Sequence, residues 1–179
     1  MEKMNKEIMT YKDTKFINML RSFGVKRLFK SLDFKLAIVL TIIFLLGISY
    51  FNVINQITGI FSTYATIDSA MIAIVIASLA IVVSISDTKF IKFISQDRKF
   101  YKNHLFLFWY GSVIAGISVV ISISGVIITT INPNQTILNL LFLTLTTFLT
   151  SYAVFIVIMA IGSVMRFGLY RAEYTRITE

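Results

Sequence analysis

The residues of this chain best placed to do chemistry form a row of hydroxyls and one amide along its last apolar run: Thr136, Asn139, Thr144, Thr146, Thr147, Thr150 and Ser151. Such side chains donate and accept hydrogen bonds without carrying charge, so they offer a surface for water or ions and not acid–base work. Projected at roughly 100° per residue, they cover less than half of a helix, with Leu138, Leu141, Leu145 and Leu149 opposite. Further along, the same face carries Val154, Val157, Ile158, Ile161 and Met165. A hydroxyl-lined half leading into a bulky apolar half has the makeup of a water-filled vestibule closed by a dewetting gate. On this reading Asn139, Thr146, Thr147, Thr150 and Ser151 line a pore, and Val154, Ile158, Ile161 and Met165 form its hydrophobic gate. The alternative stays open that the hydroxyls bond back to their own helix and are tolerated beside lipid. Asn139 is the hardest to place that way, because its amide wants several partners in hydrocarbon and can find them across a subunit axis.

A second cluster is basic and aromatic. Lys89, Lys92, Arg98, Lys99 and Lys102 interleave with Phe90, Phe93, Phe100 and Tyr101, and Arg166 and Arg171 stand near Tyr170 and Tyr174. This set can clasp phosphates and stack bases. It can equally lay lysines on lipid phosphates with aromatics at the boundary, and that anchor reading takes precedence. His104, alone among basic and aromatic residues, reads as an interfacial anchor because no second ligand or partner carboxylate stands near it. With no cysteine, no Ser-His-Asp set, no phosphate-cradling glycine loop and no paired carboxylates, no metal, cofactor or enzymatic activity is expected.

The elements that must position these residues cross a membrane. Of the 179 residues, 56% are hydrophobic, which few soluble chains match. Four runs, 36–54, 69–86, 105–131 and 136–165, meet the roughly 18-residue length that spans a bilayer. Nine of the seventeen Lys and Arg residues precede the first run, five lie between the second and third, and three follow the fourth. The two remaining loops carry none. Basic residues near a span stay in the cytoplasm, so both termini and the middle loop are expected there. No ionisable residue falls deep inside a run so bounded, and Asp68 stands where it could cap the second helix. Pro133 marks a tight turn that makes the last two helices antiparallel neighbours. Three regions result: a basic amphipathic segment over 1–35 that lies on the inner leaflet or docks on a subunit, with Gly24 as a break; a transmembrane domain over 36–165; and a tail over 166–179.

Two of the helices carry small residues in step. Ala70, Ala73, Ala77, Ala80, Ser84 and Asp87 form one stripe; Gly111, Ala115, Ser118, Ser122, Gly125 and Thr129 form another. Helices in lipid gain little from greasiness and associate by close backbone approach, which small residues permit. Either the stripes face each other in one hairpin, or at least one meets another subunit. Four helices enclose little volume, so a conducting path needs several copies.

Four spans with both ends inside, a second helix reading AIVIASLAIVVSISD before a basic-aromatic loop, and a long hydroxyl-rich last helix resemble the small four-helix membrane effectors of bacterial antiphage defence, of which the Hailong effector is an example. The likeness is architectural. It implies an all-α polytopic fold and an oligomeric channel, with a tetramer favoured, that arrests growth when open. It further implies cytoplasmic gating by a nucleotide or oligonucleotide and a partner protein from the same operon. A non-conducting scaffold, immunity or accessory subunit and a holin-like lesion former are the alternatives.

Overall fold

A computed structural model describes residues 20–21, 24–50, 56–85, 90, 98–133 and 135–178. They form helices α1 (Val25–Lys30), α2 (Leu32–Tyr50), α3 (Ile57–Ile85), α4 (Arg98–Ile131) and α5 (Thr136–Thr178), with no strand among the described residues. Gly24 takes φ 90°, a left-handed conformation that costs glycine least, just ahead of α1. Ser31 then serves two helices. Its Oγ donates to the Leu28 carbonyl at 2.7 Å, and the Phe34 amide donates to the same Oγ at 3.3 Å.

Helices α3, α4 and α5 form the body of the protein, and α2 packs along α5. Among the described residues three helices are long and apolar enough to cross a membrane: Ile57–Ile85, His104–Ile131 and Ile137–Ile177. At about 1.5 Å per residue each exceeds a hydrocarbon core of about 30 Å. Their outward faces carry Ile74, Ile76, Val83, Val120, Ile127, Leu141 and Ile158, all exposed. An apolar exterior of this extent suits acyl chains or another protein and not water.

Burial follows a period of about 3.5 residues on each long helix. On α3 the buried residues are Ile57, Phe61, Tyr64, Asp68, Met71, Val75, Ser78 and Val82. On α4 the seam runs through Phe108, Gly111, Ala115, Ser118, Ser122, Gly125 and Thr129, and on α5 through Asn139, Leu143, Thr146, Thr150, Ala153, Val157, Ala160 and on to Phe167. Three-and-four spacing keeps a seam facing its neighbours along shallow crossings.

Three expectations change here. The second long helix begins at Ile57 and not at Ser69, because its polar residues are absorbed within it: Thr63 donates to the Gly59 carbonyl at 2.9 Å, Thr66 to Ser62 at 3.0 Å and Ser69 to Ala65 at 2.7 Å. Hydroxyls bonded back in this way cost a membrane helix little. Asp68 is therefore no cap but an interior residue of α3. The two small-residue stripes also do not meet: the α4 stripe is buried, whereas Ala70, Ala73, Ala77, Ala80 and Ser84 all face outward, away from the α3 seam. Helix α5 continues unbroken to Thr178, where Arg176 pairs with Glu173 at 2.7 Å on an exposed turn. The amphipathic pattern of residues 1–19 and Phe23 lies outside the described residues.

Candidate functional site

The three seams meet in layers, because α4 runs antiparallel to α3 and α5 while the latter two run together. Contacts fix the order. Thr58 donates to Thr129 at 3.2 Å in the layer nearest Asn139. The next is apolar and tight: a Cβ placed on Gly125 would lie 2.7 Å from the Phe61 ring, and Phe61 clusters with the fully buried Leu143. Below it, the Thr147 hydroxyl donates to the Leu143 carbonyl at 2.7 Å and faces the Tyr64 hydroxyl at 3.3 Å. One turn further, Thr150 Oγ1 donates to Asp68 Oδ2 at 2.9 Å and lies 3.1 Å from Ser118 Oγ. Apolar packing then resumes with Met71, Ala115 and Ala153. Where Gly111 lets the helices approach, an added Cβ would stand 3.1 Å from Ile156 and 3.8 Å from Val75.

A carboxyl group thus sits in the middle of the bundle, 0% exposed. Around it are hydroxyls from all three helices: Tyr64 on α3, Ser118 and Ser122 on α4, and Thr146, Thr147 and Thr150 on α5, all buried. Several of these oxygens have no hydrogen-bond partner: Asp68 Oδ1, Ser122 Oγ and Thr146 Oγ1, with Asn139 Oδ1 near the mouth. Each such orphan costs about 1–3 kcal/mol. Ser122 and Thr146 stand one turn from Ser118 and Thr150 on the Tyr64 side, so three of the four fall within about one helical turn of each other across the Tyr64 and Asp68 levels. A carboxylate among hydroxyls can hold water, a proton or a cation. Among the described residues no group of His, Cys, Asp and Glu is arranged to hold a metal ion through such side chains.

The hydroxyl row read from the sequence lies here, turned into the protomer. Thr146, Thr147, Thr150 and Ser151 are buried, and so is Asn139, whose Nδ2 donates to the Pro133 carbonyl at 3.4 Å. Val154, Ile158, Ile161 and Met165 lie on the outer surface, Ile158 at 57% and Met165 at 66% exposure, while Val157 is buried in the seam. The two rows part because the α5 seam repeats every 3.5 residues and drifts about 20° per heptad against the helix. Thr147 and Ser151 sit on the flank of the seam, and one heptad later the same flank carries Val154 and Ile158, both exposed. Helix α2, packed beside α5 through Phe34, Ala37, Leu45 and Ile48, covers the first part of that flank only.

Of the basic residues, Lys89 and Lys92 lie outside the described residues. Arg98, Lys99 and Lys102 belong to the first turns of α4, and their side chains lie outside what is described. Arg166 is exposed, whereas the Arg171 guanidinium stacks over Phe90 at 5.3 Å and Tyr174 at 5.7 Å. His104 is buried, edge-on to Phe167 at 5.5 Å. Sequence reading passed over Asp68, Tyr64, Ser118 and Ser122 as a polar set. The signal was present, since Asp68 stands in three-and-four step with Phe61, Tyr64, Met71 and Val75. The comparisons add no identity: no family model, curated protein or solved structure matches the chain.

Proposed function

We propose that this chain is a bacterial cytoplasmic-membrane protein that assembles into an oligomeric ion channel of the effector type, with α2 as a fourth span and both termini in the cytoplasm. One observation carries the reading: an ionisable, hydroxyl-rich interior at Asp68 inside a bundle whose outer surface is apolar. Ionisable groups at membrane depth are costly and mark ion pathways more often than packing. Apolar layers at Phe61 and Met71 stand on either side of the polar layers, which supports reading the arrangement as a closed state of such a channel. The outward stripe of Ala70, Ala73, Ala77, Ala80 and Ser84 supplies a close-packing face for a second copy. Val154, Ile158, Ile161 and Met165, facing outward, supply an apolar ring if copies of α5 surround an axis. The basic residues at the cytoplasmic end, the exposed Arg166 among them, provide the face where a nucleotide or oligonucleotide signal acts, and growth arrest follows opening.

Current recordings from liposomes holding the purified protein test this. Discrete conductances that change on Ile158→Ser are expected; a monomer silent with every cytoplasmic nucleotide added ends the reading. A second reading is favoured by a specific observation, the enclosure of Thr146, Thr147, Thr150 and Ser151 within one protomer. It makes the chain a non-conducting scaffold, immunity or accessory subunit, and it predicts stable co-purification with a distinct membrane partner and no toxicity on overexpression.

A further inference from the structure

The polar layers at Asp68 hold more unpaired oxygen than packing requires. A buried network that serves structure alone closes on itself, because each loose end is costly at low dielectric. Here Thr150, Ser118 and one carboxylate oxygen engage one another, yet Asp68 Oδ1, Ser122 Oγ and Thr146 Oγ1 are left over, one from each of three packed helices. None of the three touches solvent. The group is closed on one side by Phe61, pressed on Gly125 beside Leu143, and on the other by Met71, Ala115 and Ala153.

We propose that this enclosure is a binding site for one monovalent cation of the Na+ type, held by the Asp68 carboxylate with the hydroxyls of Ser118, Ser122, Thr146 and Thr150. The ligand chemistry decides the class. Every donor is a hard oxygen, which suits alkali and alkaline-earth ions and not the soft metals that take thiolate or imidazole. The layers hold one formal negative charge, so a single positive charge neutralises them, whereas a divalent ion leaves an excess charge inside an apolar bundle. A proton on Asp68 answers one of the three loose oxygens; a cation draws on the lone pairs of all three. Tyr64, bonded to Thr147 on the same turn as Thr146, borders the site and is not needed as a ligand. Release requires the Phe61 ring to leave Gly125, which gives the site a door on the Asn139 side.

The site rests on the membrane-embedded bundle and on neither assembly nor conduction. Na+ binding with silent currents removes the channel and leaves the site, and currents without any Na+ response do the opposite. The experiment is thermal unfolding of the full-length protein in lipid nanodiscs, with Na+ titrated against N-methylglucamine at constant ionic strength and pH. Ligand that binds only the folded state raises Tm in a saturable way. The expected result is a rise with Na+ that is lost in Asp68→Asn, and an apparent affinity about tenfold weaker in Ser122→Ala, a change of the size seen when one supporting contact is removed. Helical circular dichroism at low temperature identifies a variant that fails to fold; the wild-type titration and Thr146→Val then carry the test. A Tm that ignores Na+ and K+ but moves with pH overturns the proposal in favour of a proton, and an equal Na+ response in Asp68→Asn overturns it outright. A larger response to Ca2+ than to any monovalent ion also overturns it.

Discussion

The two halves of the α3–α4–α5 bundle use one seam spacing for different ends. Toward Phe167 the seams bring Val75, Val82, Phe108, Ala115, Val157 and Ala160 together, a mainly apolar interior with Ser78, Ser163 and His104 as its buried polar residues. Toward Asn139 the same three-and-four rhythm places Tyr64, Asp68, Ser118, Ser122, Thr146 and Thr150 inside, with unpaired oxygens among them. Regular burial therefore says where a helix faces its neighbours and nothing about what that face is for. The half that packs well needs no ligand, whereas the half with loose ends is either destabilised or completed by something bound.

The comparison breaks most visibly at Phe61. Truncation to alanine is expected to cost about 3–5 kcal/mol of unfolding free energy in lipid, as large as a core aromatic on the apolar half; a loss under about 1 kcal/mol would show that the ring closes nothing. Gly125→Val drives a side chain into that ring, already 2.7 Å from any Cβ, and should cost about 1–3 kcal/mol by overpacking.

Thr150→Val and Ser122→Ala sharpen the contrast. Thr150 bonds the carboxylate, so its loss should cost about 1.5–3 kcal/mol. Ser122 bonds nothing in the protein, so in ion-free buffer its removal should be neutral or stabilising by up to about 1 kcal/mol. A cost equal to that of Thr150 would mean that the hydroxyl has a protein partner after all. Ala77→Leu, on the outward stripe, should leave unfolding within about 0.5 kcal/mol while shifting the proposed oligomer toward smaller species in analytical ultracentrifugation. Unchanged assembly would detach that stripe from any subunit contact.

Much of the architecture was legible beforehand. Apolar length gave the long helices, and Pro133 gave the turn between α4 and α5. The stripe on α4 announced its own close packing at Gly111 and Gly125. Reading failed at Asp68, because a charged residue among Ser62, Thr63, Tyr64 and Thr66 looks like a loop until their hydroxyls are seen bonded along the helix. It also failed in following one face of α5 at a fixed angle, where the seam drifts and carries Ile158 and Met165 outward.

The chain by itself determined that it is helical and built for lipid, and along which rows small, polar and bulky residues recur, since periodicity and hydropathy are local properties. Which row turns inward was decided only in three dimensions. On α3 two rows of equal regularity compete, and close approach of Phe61 to Gly125 together with the bond from Thr150 to Asp68 buries one and leaves the alanines of the other outside.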